Sequence, residues 1–203
     1  MSDIDTDTDY EGVPEPGSYY VYKPSVAGSP WTLRLGPTAL EWNTGYRAGR
    51  IAYDKITHIR MQYRPGSVYM RRYMTEIWGD GAKAVLASTT FTGIIAQQPQ
   101  DAEYSAFLVA LHRRIAAAGG RPVLNAGSQV LLYWPGAAVI GASAVGFLVI
   151  IVQALQQGAG TNVLILIAFA AIFFWQGGQF FWRNRPRGYR LDALPDDLLP
   201  KPR

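Results

Sequence analysis

Val130 to Val152 reads VLLYWPGAAVIGASAVGFLVIIV, and Val163 to Trp182 reads VLILIAFAAIFFWQGGQFFW. The whole stretch from Pro122 to Trp182 contains no Asp, Glu, Lys, Arg or His. Each block is close to the ~20 apolar residues that carry a helix across a ~30 Å hydrocarbon core. Core helices of soluble proteins keep a polar stripe, and these blocks have none. The expectation is a transmembrane helical hairpin over 130–182, with spans 130–152 and 163–182. Its uncharged Gly- and Gln-rich connector, Gln153 to Asn162, turns in the opposite headgroup layer.

Working outward, Arg113, Arg114 and Arg121 precede the hairpin and Arg183, Arg185, Arg187 and Arg190 follow it, while the connector has no Lys or Arg. The positive-inside rule therefore predicts that both termini are cytoplasmic. Tyr133 and Trp134 at the entry of the hairpin, with Phe181, Trp182, Arg183 and Arg185 at its exit, are the expected membrane-interface anchors and lie at one water interface; Phe180 belongs to the same aromatic belt. Ala138, Ala142 and Gly146 recur at steps of four, a spacing that lets a second helix approach closely, either the partner within the hairpin or another protein. No ionisable residue lies in the spans, which argues against an ion-coupled transporter.

The 203 residues average 17% charged and 49% hydrophobic, a mean that combines this uncharged segment with a region of about 100 residues of ordinary composition, the size of one domain. The chain has no cysteine, which excludes disulfides, thiolate metal sites and cysteine nucleophiles. His58 and His112 are its two imidazoles, too few for a histidine metal site. Residues 1–18 carry Asp3, Asp5, Asp7, Asp9, Glu11 and Glu15 without apolar periodicity and read as a disordered acidic tail lacking the features of a secretory signal.

Residues 19–120 form the expected cytoplasmic domain. Tyr19, Tyr20 and Tyr22, ahead of Pro24 and the Gly28-Ser29-Pro30 turn, read as a first edge strand or an ordered lead-in. Trp31 to Leu35 and Leu40 to Trp42 alternate around a Gly36-Pro37 turn and predict a hairpin. Arg50 to Tyr53 is a third strand after it. Ile56 to Arg64 places Ile59, Met61 and Tyr63 on one face and His58, Arg60, Gln62 and Arg64 on the other. Tyr69 to Trp78 and Ala82 to Thr90 are strands joined at Gly79-Asp80-Gly81, and Thr92 to Gln100 is irregular. Tyr104, Phe107, Leu108, Leu111 and Ile115 then repeat at helical spacing, with Asp101 as the cap and Gly119-Gly120 as the stop. His112 is placed on the polar face of that helix and His58 on the exposed face of its strand. Residues 121–129 read as a linker and 183–203 as a basic, Pro-rich cytoplasmic tail.

The run from Trp31 to Leu35, the Gly-Pro turn, Leu40 to Trp42, the segment Gly49 to Ile59 and the closing helix resemble the pleckstrin-homology-like domains of bacterial membrane proteins. The resemblance implies an α+β fold, a split β-barrel capped by one C-terminal helix, here followed by the two-helix hairpin in a bacterial inner membrane. It also implies binding and not catalysis. The first hairpin loop, Gly36 to Thr38, has no Lys or Arg, unlike that of the phosphoinositide-binding eukaryotic members.

No catalytic, cofactor or metal constellation is present: P-loop, Gly-x-Ser-x-Gly, dinucleotide and paired-histidine patterns are all missing. The pairs Glu76 with Asp80 and Asp101 with Glu103 read as solvated charges. From Tyr19 to Arg121 the chain has thirteen Lys and Arg against six Asp and Glu. Arg47, Arg50, Lys55, Arg60, Arg64, Arg71 and Arg72 crowd the middle strands and form the expected lipid or partner surface, each worth ~1 kcal/mol near an anionic leaflet. The expected role is a non-enzymatic, membrane-anchored binding or scaffold protein. Its partners would be membrane lipids and a protein or second copy met through the hairpin, with no nucleic acid. The competing expectation is a small accessory subunit of a larger inner-membrane complex.

Overall fold

The computed structural model describes residues 15–64, 71–94, 96–158 and 160–200. The acidic run at 1–14 and the start of the strand expected from Tyr69 lie outside them. A sheet-rich N-terminal domain leads into two long helices. In chain order the elements are β1 (Tyr19–Tyr22), β2 (Trp31–Leu35), β3 (Ala39–Asn43), β4 (Ala48–Ala52), β5 (Ile56–Tyr63), β6 (Tyr73–Gly79), β7 (Ala82–Ala87), β8 (Thr89–Phe91), β9 (Gln97–Pro99), α1 (Asp101–Ala117), β10 (Val123–Ala126), α2 (Val130–Gln156), α3 (Gly160–Arg183) and β11 (Arg187–Gly188).

The alternating stretches pair as their patterns require. A four-stranded sheet runs β1-β2-β3-β4, with Leu35 opposite Leu40 across the Gly-Pro turn. Around β5, Ile59, Met61 and Tyr63 are buried, so that face fills the core as the alternation predicts. β6 and β7 meet at a two-residue loop in which Asp80 and Gly81 have φ of 50° and 69°, the positive values that a tight hairpin matching the strand twist demands. The expected strand Ala82 to Thr90 breaks at Ser88. There the backbone of Tyr73 exchanges bonds with the Ser88 amide and hydroxyl, at 2.9 and 3.0 Å, and the chain turns away as β8 to pair with β9. Thr92 to Gln100 is thus partly a strand.

Among the described residues no closed barrel forms: the four-stranded sheet and a five-stranded sheet face one core. They are joined across it by side chains, Tyr20 Oη donating to the Ala87 carbonyl at 2.6 Å and Tyr22 Oη to that of Val85 at 2.8 Å. α1 covers the core with the predicted stripe, Tyr104, Phe107, Leu108, Leu111 and Ile115 all being fully buried. Asp101 is the first helical residue and not the cap; Gln100 occupies the cap position without a side-chain capping bond, its Oε1 accepting instead from Tyr20 Oη. The helix ends as predicted. Gly119, with φ of 72°, donates to Ala116 and Gly120 to the Ile115 carbonyl, the paired bonds of a Schellman stop.

Both flanks of the hairpin belong to the domain. The five-stranded sheet runs β11-β10-β5-β6-β7, with β10 parallel to β5 (Leu124 opposite Ile59) inside the expected linker. The expected tail supplies β11 and then lies along α1: Leu198 is buried, Tyr189, Leu191, Leu194 and Leu199 rest on the core, and Ser105 Oγ donates to the Pro200 carbonyl at 3.1 Å. Arg187 pairs with Asp197 within this strap.

His112 is its anchor on α1, contrary to the expected solvent-facing position. It is 1% exposed, with Nδ1 2.8 Å from the Leu108 carbonyl and Nε2 3.0 Å from Tyr189 Oη. A carbonyl only accepts, so Nδ1 carries the proton and Nε2 accepts from Tyr189.

α2 and α3 have 27 and 24 residues and are long and apolar enough to cross a membrane. No α2 side chain is buried, which sets this helix apart from a soluble core helix. The helices extend beyond the expected spans, leaving a connector much shorter than Gln153 to Asn162.

Burial holds the His112 imidazole below its ordinary 6.5, against a smaller opposing effect of the Leu108 hydrogen bond. The unfolded chain takes up this proton first as pH falls, so the contribution to stability is complete above 6.5 and is lost below it. Thermal unfolding of the full chain should therefore weaken between about pH 7 and about pH 5, and His112→Gln should flatten that slope. Parallel slopes for the two proteins would contradict the assignment.

Candidate binding cleft at the root of the helical hairpin

The outer face of the five-stranded sheet gathers the charged residues of three neighbouring strands. Register sets Arg60 opposite Glu76 and Trp78 opposite Lys83, so side chains from β5, β6 and β7 stand side by side. Glu76 is their shared counter-ion, 2.7 Å from Lys83 Nζ and 4.0 Å from Arg60 Nη1. Both cations also sit over the Trp78 ring, with Lys83 Nζ at 4.9 Å and Arg60 Cζ at 5.4 Å from its centroid. His58, opposite Trp78 in the register, packs against the indole at 4.9 Å between ring centroids, with Asn125 of β10 3.1 Å from its Nε2. It is half-buried, not exposed as its strand position suggested. Burial holds its pKa below the ordinary value and the Arg60 charge adds to this, while Glu76 opposes.

The hairpin supplies the opposite wall. Arg60, Gln62, Arg64, Glu76, Trp78 and Lys83 face Leu132, Tyr133 and Gly136 of α2 and Phe180 and Phe181 of α3 across a cleft of about 350 Å³. Its floor is Ser128 and Gln129. One wall is thus cationic and the other apolar and aromatic.

Asn184 holds the two walls together. Fully buried just beyond α3, it accepts from the Tyr63 amide through Oδ1 at 2.9 Å and donates to the Tyr63 carbonyl through Nδ2 at 2.7 Å. Its own carbonyl accepts from the Ser128 amide at 2.9 Å, and the Gly127 amide donates to Met61 at 2.7 Å. Gly127 has φ of 87°, and a Cβ there would lie 2.6 Å from the Asn184 oxygen, so the crossing requires glycine. Arg183 folds back as well: it donates to Tyr73 Oη at 3.0 Å and lies 5.1 Å from the Tyr63 ring centroid.

The seven residues expected to form one basic surface are divided. Arg60 and Arg64 line the cleft. Arg72 is half-buried; its buried Nε has no partner among the described residues, and burial lowers its pKa, with the Arg64 charge adding to this. Arg71 is exposed just before β6. Arg47 and Arg50 stand exposed on the β3–β4 hairpin of the other sheet, and Lys55 pairs with Asp54 at 3.7 Å on the short turn before β5. Lys83, which the sequence reading left out, is central. Its alternation with Ala84 and Leu86 puts it on the outer face, and pairing with Trp78 was the signal.

Among the interface anchors, Tyr133 and Phe181 meet at 5.5 Å between ring centroids. Trp134 and Trp182 project outward at the same end of the hairpin, 66% and 81% exposed, and Arg185 is exposed. Arg183 is committed to the sheet. Ala138, Ala142 and Gly146 do not serve the contact within the hairpin: all three are exposed, and nothing lies within 4 Å of a Cβ built at Gly146. α2 meets α3 instead through Gly136 against Phe181, Ile140 against Gly177, and Phe147 against Phe173 and Phe174.

No protein-family model, curated protein or solved structure matches this chain.

Replacing Asn184 by Ala strands two buried backbone groups of Tyr63, each costing about 1–3 kcal/mol. The full chain in detergent should lose stability by about 2–6 kcal/mol for that reason, read from thermal or denaturant unfolding. Asn184→Asp should rescue little, because a carboxylate accepts from the Tyr63 amide but repels its carbonyl. An Asp variant as stable as the parent would remove the clasp from this account.

Proposed function

We propose that the chain is a non-enzymatic membrane-anchored binding protein whose cationic cleft docks on anionic lipid headgroups. In this reading α2 and α3 cross a bacterial inner membrane, both termini are cytoplasmic, and the sheet-rich unit is a pleckstrin-homology-like domain. The succession of antiparallel strands in two sheets followed by a core-covering helix favours that fold. The observation that carries the function is one of position. Arg60, Arg64 and Lys83 open beside Tyr133 and Phe181, at the end of the hairpin where its aromatic residues cluster and where headgroups would lie.

A second reading rests on the hairpin. Ala138, Ala142 and Gly146 leave an uncovered small-residue stripe, as an accessory subunit that packs against a helix of a larger complex would. Co-purification of a defined partner in mild detergent, lost on Gly146→Leu, would favour it.

Two measurements test the proposal on the full chain. Reporters at Met1 and after Arg203 should both report cytoplasm, with one near Gly158 on the far side; any other pattern sinks the hairpin. In nanodiscs, acetylation of Lys83 should slow when anionic lipid replaces zwitterionic lipid and recover at high salt, since exposed charges are screened over ~8 Å at physiological ionic strength. Lys23 and Lys55 provide internal references. Equal labelling of Lys83 in both discs would defeat headgroup docking.

A further inference from the structure

We infer that the cleft holds one individual anionic phospholipid, its phosphate on the sheet wall and its acyl chains on the hairpin wall. This deepens the proposed membrane function and rests on it. Docking of a whole basic surface needs only exposed cations in a plane. Here half-buried Arg60 opens, together with Arg64 and Lys83, into a cleft of about 350 Å³, within the range of small-molecule sites.

The lining is divided in the way a phospholipid is. On the sheet side stand three cations, Arg60, Arg64 and Lys83, and one carboxylate, Glu76, with the Gln62 amide among them. Glu76 is engaged by Lys83 and Arg60, whereas Arg64 has no ion pair among the described residues and is exposed. The guanidinium of Arg64 therefore offers a fork suited to a phosphate diester, and the surplus of positive charge fits an anionic headgroup better than a zwitterionic one. On the hairpin side Leu132 is 69% exposed and runs from the cleft onto the apolar outer surface of α2, a path that acyl chains can follow. A free phosphate would satisfy the first wall and leave the second without an occupant.

The test uses the full chain extracted in mild detergent, exchanged against mixed micelles containing equal phosphatidylglycerol and phosphatidylcholine, and examined by native mass spectrometry. One phosphatidylglycerol should be retained per chain, preferred by at least about tenfold over phosphatidylcholine, as a few cation contacts of ~1 kcal/mol each would give. Arg64→Gln should weaken retention, and Arg113→Gln, on the exposed face of α1, should leave it unchanged. Glu76→Gln should strengthen retention by freeing Arg60 and Lys83, a gain that unfolding cannot mimic. Equal retention of the two lipids by the parent, or a Glu76→Gln variant that retains no more than the parent, overturns the single-lipid site while leaving the hairpin intact. Recovery of the chain in the soluble fraction without detergent overturns the membrane reading and this inference together.

Discussion

The bidentate bond between Asn184 and the Tyr63 backbone is the constraint on which the arrangement depends. Tyr63 ends β5, the middle strand of the five-stranded sheet, and Asn184 follows α3 directly. Two buried groups of one strand residue are thereby satisfied by a side chain 121 residues away. Leaving them open would cost more than the bonds themselves contribute, which is why one amide can fix the angle at which two long helices leave a domain. The chain crosses between sheet and hairpin twice, and the crossings brace each other through the Ser128 amide on the Asn184 carbonyl.

Much of this was legible where a local rule applied. Period-two alternation located the β2–β3 hairpin and the buried face of β5; helical spacing gave the core stripe of α1; the uncharged blocks gave the long helices. What escaped depends on partners far along the chain. Val123 to Ala126 is four residues beside Pro122 and Gly127, too short for alternation to register, and it becomes a strand because β5 offers a free edge for parallel pairing. His112 sits beside Arg113 and reads as polar, yet Tyr189, 77 residues later, supplies its acceptor's partner and makes burial tolerable. The helix-period rule found the Ala138 stripe without saying which neighbour it faces: bulky Phe147, Phe173 and Phe174 fill the hairpin interface, and the stripe stays exposed.

The basic character of the domain is likewise less uniform than its charge count suggests. Seven cations in one stretch of sequence are divided between the two sheets and their turns, and of them Arg60 on β5 and Arg64 just after it line the cleft with Lys83. Within the cleft, Glu76 tempers the field. A carboxylate 2.7 Å from Lys83 lowers the attraction for any anion, but it also fixes that ammonium over Trp78 and spares two neighbouring cations their mutual repulsion in the absence of ligand. The cleft is organised before anything binds. The desolvation of Arg60 and Lys83 is already offset by the indole face and Glu76, so a ligand need only match the arrangement.

That organisation has a geometric consequence. Three residues, 127–129, separate the end of β10 from the start of α2, and three more, 184–186, separate α3 from β11. Spacers this short cannot act as tethers, because a flexible linker of a few residues still needs its ends free and here both are hydrogen-bonded into place. A domain on a long linker could reach any headgroup within its radius, and the lipids it met would average over the leaflet. With the hairpin clasped to the sheet, the cationic wall stands at a fixed height beside the apolar wall. On the proposed lipid-binding reading, a molecule bridging the two would have to be polar at one level and apolar at the next, so selection would act on how charge is distributed along the ligand as well as on charge itself.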